Sequence, residues 1–406
     1  MYLLDFLNGT KFNGAGGSIL RTTTVEYLLA CSAEFFNRTV ITADWRKSDI
    51  TRILLRAPFE LFVASRPFDS YPQELALRFS VDYVTERTDT SISTFLPDED
   101  IVEDLCALLT LLARRVIAPV VKTREQADDS HEAFGSFRSD IPTPLLPTPQ
   151  FPVWRRRPLS IMTSVHGQKV TSYDPPPVGV DPEALREALV AFAANTNAQV
   201  LLNAAKLYKT AMELIETRPD ISYQLLISTA ESLANVALAG YAPNEAEMIE
   251  SKRALLQYAM KCGLDEGQAR QMALEACRGN PWSKKKFRQF LSAYASDDIW
   301  QEDHLFMVPE NLRPDRIDFD KTLGKIYDLR SQNLHGGSTF PRSIGIGTSP
   351  WYPVRDLPLD FLTKAEIPSV AWFERVVSSA AQKLFADQVG IKPEWPFGSS
   401  TGGSGR

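Results

Sequence analysis

A proline-rich stretch near the middle of the chain constrains the possible folds more than any other feature. Nine of the 27 prolines lie between Pro142 and Pro177. Proline lacks a backbone N–H donor and restricts φ, so this stretch is predicted to form no regular core element and is typical of an extended linker or wrapping loop. The sequence therefore predicts a boundary, with residues 126–180 as a linker between a first part at 1–125 and a second part from 181 onward.

The part before the linker mixes short apolar runs with turn signals. Residues 59–65 and 75–84 are predicted strands, because they are rich in aromatic and β-branched residues and the second run alternates partly with period two. Residues 24–36 fit either a helix or a strand. Acids after Pro97 predict the first turn of a helix that continues to about residue 116. Together these elements predict an α+β N-terminal domain.

From residue 181 the pattern changes to helices with clear start and stop signals. Asp181 is a predicted N-cap with Pro182 at the first helical position, and glycines close several of the later helices. The further helices are predicted at about 197–216, 221–240, 244–262, 265–278, 281–295, 317–335 and 364–388. The sequence thus predicts an all-α bundle over 181–390, followed by a flexible tail over 391–406.

Composition excludes several classes of protein. The chain has 44 Lys+Arg against 50 Asp+Glu, and this net charge of -6 excludes a globally basic protein that coats nucleic acid. No window approaches 18 uninterrupted apolar residues, and the first residues lack a signal-peptide pattern. We therefore expect a cytoplasmic protein without membrane association.

Cysteine and histidine patterns give no sign of a disulfide framework or a metal site. The cysteines form no CxxC pair, and no histidine has a metal-ligand spacing such as HExxH. In a reducing compartment such cysteines are small buried apolar residues. We expect neither a metal nor a cofactor. The residues concerned are Cys31, Cys106, Cys262, Cys277, His131, His166, His304 and His335.

One segment near the end of a predicted helix could carry chemistry: Lys-Ile-Tyr-Asp-Leu-Arg-Ser-Gln-Asn-Leu-His-Gly-Gly at 325–337. Arg330 precedes His335 by five residues, a rotation of about 140°, so the two do not share one strict helix face. Ser331 and His335, four residues apart, lie on the same side. The glycines end the helix beside His335, where the helix dipole favours the imidazolium and a histidine that titrates near neutrality can transfer protons.

The same residues also have a purely structural interpretation. A histidine before a glycine at a helix end is often a capping or packing residue. An arginine in such a helix often pairs with a nearby acid, such as Asp328, or caps carbonyl groups. The residue pattern alone leaves both interpretations open.

The segment from Leu329 to Gly336, together with an earlier helix that carries Glu231, resembles the HEPN superfamily of all-α domains. It is similar to the Apea-like HEPN proteins of bacterial defence systems, whose motif helix often reads leucine, arginine, a polar residue and then histidine-glycine. The resemblance implies a HEPN-like domain over 181–390. It further implies a metal-independent endoribonuclease of toxin or anti-phage defence type, with no cofactor.

In HEPN ribonucleases two motif helices meet across a homodimer, so that two arginines and two histidines surround one phosphate of the RNA. By this resemblance Arg330 and His335 are the catalytic residues, and Ser331, Asn333 and Glu231 support them. Histidine accepts the 2′-hydroxyl proton and arginine stabilises charge on the phosphate. A defence or antitoxin partner is also implied, although a nucleotidyltransferase-type antitoxin is not expected because the His-x-Tyr form is absent.

A basic run at the start of the predicted helix 281–295 is a second candidate RNA-binding feature. Its cations alternate with aromatic residues, a combination that binds phosphates and stacks bases, but a lysine run at a helix start is also typical of a solvated face. The cations are Lys284, Lys285, Lys286 and Arg288. Domain order suggests that the N-terminal part senses a trigger or restrains the nuclease. The alternative function is a non-catalytic RNA-binding or dimerising scaffold.

Overall fold

The computed structural model describes residues 2–9, 12–13, 19–31, 35–37, 53–55, 57–63, 73–85, 97–127, 157–163, 169–174, 178–215, 217–277, 282–300, 314–337, 339–345, 367–390 and 397–399. Within these residues an antiparallel sheet with two helices forms the N-terminal region, and the chain after residue 181 is mostly helical. This confirms the predicted order of an α+β part followed by a helical part.

The N-terminal sheet contains both of the predicted strands. Its strands are β1 (Phe12–Asn13), β2 (Ile19–Cys31), β4 (Ile53–Leu55), β5 (Glu60–Val63), β6 (Gln73–Thr85) and β7 (Ile117–Ala127), while β3 (Phe35–Asn37) lies in another sheet. The strand order is β4-β5-β6-β2-β7, with antiparallel neighbours, and β1 runs parallel to β6. The strands predicted over 59–65 and 75–84 correspond to β5 and β6.

The segment that the sequence leaves open between helix and strand is extended through most of its length. In β2, Val25, Tyr27, Leu29 and Cys31 face the core and are at most 4% exposed. Side chains that alternate between two faces give a strand this period of two. The burial pattern therefore explains why the segment is a strand rather than an amphipathic helix.

The helices follow the predicted order closely. They are α1 (Tyr2–Leu7), α2 (Asp98–Ala113), α3 (Pro182–Ala193), α4 (Ala198–Leu214), α5 (Pro219–Ala237), α6 (Glu245–Ser251), α7 (Arg253–Lys261), α8 (Glu266–Glu275), α9 (Ser283–Tyr294), α10 (Phe319–Gly336) and α11 (Val370–Val389). The Asp181 carboxylate accepts hydrogen bonds from the backbone N–H groups of Glu183 and Ala184, which confirms the predicted cap of α3. Among the helices described, none combines the length and apolar character needed to cross a membrane.

The helix predicted over 244–262 is wrong as a single element, because it breaks between α6 and α7. The backbone N–H of Lys252 donates to the carbonyl of Ile249 rather than to that of Met248. The Met248 carbonyl instead accepts from the Ser251 hydroxyl at 2.7 Å and from the Cys277 thiol at 3.4 Å. Side-chain donors thus replace the backbone donor and tighten the chain at this point.

Part of the proline-rich segment forms strands, where the sequence predicts an extended linker or wrapping loop. Strands β8 (Arg157–Thr163) and β9 (Lys169–Asp174) pair as an antiparallel ribbon. Pro158 is tolerated because a strand of a two-stranded ribbon has one unpaired side. Strand β10 (Val178–Val180) runs parallel to β3 and antiparallel to β11 (Phe397–Ser399), which places three residues of the predicted tail in a strand.

Helix α2 connects the sheet to the helical bundle. It packs against β7 on one side and α4 on the other, and every residue from Ile101 to Ala113 except Glu103 is buried. Two lysines of α4, Lys206 and Lys209, form ion pairs with acids of α2. Buried side chains of the sheet, α2 and the bundle belong to one continuous core. The predicted division into separate domains stays a prediction.

Candidate functional site

Helix α10 carries the predicted motif, and it ends where the glycines predict. Gly337 has φ +67°, in the left-handed region that glycine adopts without strain, and its N–H donates to the Gln332 carbonyl. His335 lies in the last turn of α10, beside the negative end of the helix dipole. Its side chain lies outside the described part of the structure.

Arg330 is held by an acid on a different helix. Its Nη2 lies 2.9 Å from Oε2 of Glu231 on α5, and the two side chains are 23% and 17% exposed. Asp328, which the sequence suggests as a partner for the arginine, instead accepts from Lys284 at 2.6 Å. The ion pair of Arg330 therefore connects α10 to α5, and it brings together the arginine and the glutamate that the resemblance singles out.

Tyr327 is a third member of this cluster that the sequence analysis missed. Its hydroxyl donates to Oε1 of Glu231 at 2.7 Å, and the Arg330 guanidinium carbon lies 5.9 Å from the centre of its ring. Glu231 thus accepts a hydrogen bond from the tyrosine on Oε1 and forms the ion pair with the arginine through Oε2. The spacing of three residues between Tyr327 and Arg330, which places them on one helix face, is the signal that could have found it.

The surroundings of Tyr327 raise its pKa to about 12. Partial burial is the largest cause, followed by the hydrogen bond to Glu231 and the negative charge of that carboxylate. Both contacts disfavour the phenolate, while the charge of Arg330 and a hydrogen bond with Ser283 favour it. The hydroxyl is therefore protonated at neutral pH and acts as a hydrogen-bond donor.

We expect Glu231→Gln to lower the pKa of Tyr327 toward its ordinary value of 10.0. In the wild type the raised pKa stabilises the fold below about pH 10, and this contribution is lost as the pH rises through about 12. The measurement is phenolate absorbance during an alkaline titration. Wild type is compared with Tyr327→Phe, and Glu231→Gln with the double variant Glu231→Gln, Tyr327→Phe, so that each difference reports Tyr327 alone. A pKa of Tyr327 that does not change in Glu231→Gln would contradict the assigned hydrogen bond.

The two other supporting residues lie near Arg330 but differ in their contacts. The Gln224 side chain of α5 donates to Oδ1 of Asn333, so Asn333 takes part in the contact between α5 and α10. Ser331 is half-buried. Their predicted supporting roles stay predictions.

Most of the basic run on α9 is neutralised within the chain. Lys284 pairs with Asp328, Lys285 with Glu247 at 2.8 Å, and Arg288 with Asp320 through Nε at 2.8 Å. Lys286 has no ion pair with another described residue. Because acids on α6 and α10 balance three of the four cations, this surface offers a polyanion less positive charge than the sequence suggests.

Chemically, the cluster presents an oriented arginine at a partly open position. The nearest atoms of Arg330 and Glu231 are Nη2 and Oε2, and within the described residues the Nε and Nη1 groups of Arg330 have no hydrogen-bond partner. A guanidinium has donors arranged to bind two oxygens of one phosphate or carboxylate group. The cluster can therefore hold the arginine and still leave donors for an anionic ligand.

Comparisons with protein-family models, with curated proteins and with solved structures found nothing that matches this chain.

Proposed function

We propose that the helical region is a HEPN-like ribonuclease that cleaves RNA without a metal ion, using Arg330 and His335. The observation that carries the proposal is the position of Arg330. It is oriented by Glu231 at 2.9 Å, partly exposed, and on the helix whose last turn contains His335. A permanently charged fork and a titratable imidazole are the groups that cleavage by the 2′-hydroxyl requires.

In the proposed reaction His335 accepts the proton of a ribose 2′-hydroxyl, whose oxygen then attacks the adjacent phosphorus. The bond to the 5′-oxygen breaks and that oxygen takes up a proton, which leaves a 2′,3′-cyclic phosphate and a free 5′-hydroxyl. Arg330 donates to the non-bridging oxygens as negative charge builds on them. General-base action contributes about 10²–10⁴ in rate.

A homodimer would solve the geometric problem that the motif poses. Arg330 and His335 are separated by about 140° around the helix and by a rise of about 7.5 Å. A second copy of α10 that approaches from the opposite side would bring an arginine of one subunit close to a histidine of the other. The proposed active site is therefore shared between two subunits.

The products test the proposal directly. We expect the purified protein to cleave RNA in the presence of EDTA and to leave 2′,3′-cyclic phosphate and 5′-hydroxyl ends. An oligonucleotide of the same sequence with 2′-deoxyribose should stay intact, because it lacks the nucleophile. Cleavage of the deoxy oligonucleotide, or 5′-phosphate ends, would contradict the proposed reaction.

The alternative is a non-catalytic scaffold that binds RNA or dimerises, in which the ion pair between Arg330 and Glu231 only joins α10 to α5. Expression in cells separates the two functions if the protein needs a trigger. A ribonuclease should be toxic once triggered, and His335→Ala should remove this toxicity. A scaffold should give the same growth with and without His335.

A further inference from the structure

The side chain of Tyr327 connects three helices at the candidate site. Tyr327 itself lies on α10, and its hydroxyl donates to Glu231 on α5 at 2.7 Å. The ring of Tyr327 packs against Phe287 of α9, with ring centres 5.4 Å apart. The ring is thus held by packing, and the hydroxyl makes the polar contacts.

The number of donors in each group determines the direction of the hydrogen bond between Tyr327 and Glu231. A protonated tyrosine has a single O–H, and a carboxylate can only accept, so Tyr327 must donate to Glu231. Oε1 of Glu231 thus accepts the tyrosine O–H, and Oε2 lies 2.9 Å from Nη2 of Arg330.

The hydrogen bond from Tyr327 limits how Glu231 can bind the arginine. A free carboxylate tends to take an arginine with both of its oxygens, in two parallel hydrogen bonds. Here Tyr327 donates to Oε1, the arginine approaches Oε2 most closely with Nη2, and within the described residues its other donors have no hydrogen-bond partner. Without the tyrosine hydroxyl, Glu231 could turn both oxygens toward Arg330 and occupy the donors that a phosphate needs.

We propose that Tyr327 is a positioning residue, which acts through Glu231 to restrict Arg330 to a single contact and so keeps its remaining donors free for the substrate phosphate. The proposal rests on the proposed function for the identity of the substrate. Tyr327 does not have to touch the RNA.

A double-mutant cycle tests this route of action. Tyr327→Phe keeps the ring and its packing but removes the hydroxyl, and it should lower kcat/KM for RNA cleavage by about tenfold, since only part of the lost hydrogen bond to the charged Glu231 reaches the arginine. In a Glu231→Gln background, where the carboxylate is gone, the same change should alter kcat/KM by less than about twofold.

Two controls separate positioning from stability. Tyr258→Phe removes a hydroxyl from a side chain on α7 that is 65% exposed, and it should leave cleavage unchanged. Thermal unfolding of each variant shows whether the fold is retained. An equal loss from Tyr327→Phe in both backgrounds would overturn the proposal, because the tyrosine would then not act through Glu231.

A nuclear magnetic resonance measurement decides the inference even if no RNA is cleaved. The Nε–H signal of Arg330, assigned by its loss in Arg330→Ala, should shift in Tyr327→Phe as the pair with Glu231 becomes bidentate. A shift without cleavage by the wild type would support the positioning role and contradict the proposed function. An unchanged signal would overturn the positioning role, whether or not the wild type is a ribonuclease.

Discussion

Replacing Arg330 with alanine should lower the rate of RNA cleavage by about 10²–10³-fold. This is the typical loss when an enzyme loses one donor that stabilises charge in the transition state. The variant should still fold, because a partly exposed ion pair such as that of Arg330 with Glu231 contributes only about 1 kcal/mol to stability. Single-turnover cleavage of a defined RNA by wild type and variant measures the effect, with urea denaturation as the measure of folding.

Two further variants make this result specific. Lys325→Ala removes an exposed cation from the same helix and should change the rate by less than about twofold. Arg330→Lys keeps the charge but loses the planar fork, so it should recover only a small part of the lost rate. Full activity of Arg330→Ala, or equal losses from Arg330→Ala and Lys325→Ala, would show that Arg330 has no specific role in RNA cleavage.

The second large effect is expected on stability, at the helix that joins the two regions. Leu108 of α2 is fully buried in the core that the sheet shares with the bundle. Leu108→Ala should lower the free energy of unfolding by about 2–5 kcal/mol, because it removes buried methyl groups and leaves a cavity. Val190→Ala, at a position 53% exposed on α3, should change it by less than about 0.5 kcal/mol.

The shape of the unfolding curve gives this experiment a further outcome. Because the core is continuous, the sheet and the bundle should unfold in one transition, and Leu108→Ala should shift the whole curve. Circular dichroism and the fluorescence of tryptophans such as the buried Trp372 of α11 report the transition. Two separate transitions, with only one shifted, would instead show that the parts before and after the linker fold independently.

Local signals in the sequence predict the elements that local interactions determine. The cap formed by Asp181, the glycine that ends α10 and the alternating pattern of β6 are all visible within a few residues of the element they determine. The elements that were missed depend on distant partners. The break before α7 involves Cys277, and strand β10 pairs with residues 35–37 and 397–399.

The candidate site shows the same division. The position of Arg330 near the end of a helix follows from the sequence, because the glycines mark that end. The neutralisation of the cations on α9 does not follow from the sequence. Lys284 pairs with Asp328 and Lys285 with Glu247, and both acids are distant along the chain. The spacing within α10 places Tyr327 on the same helix face as Arg330, but its contact with Glu231 depends on the packing of α10 against α5.

The central claim is that His335 transfers the proton of a ribose 2′-hydroxyl while Arg330 binds the phosphate. Its most direct test is the rate at which wild type and His335→Ala cleave one RNA in the presence of EDTA. The account predicts that the variant cleaves about 10²–10⁴-fold more slowly, while both proteins bind an uncleavable 2′-O-methyl oligonucleotide with similar affinity. Equal rates of cleavage by the two proteins would contradict it.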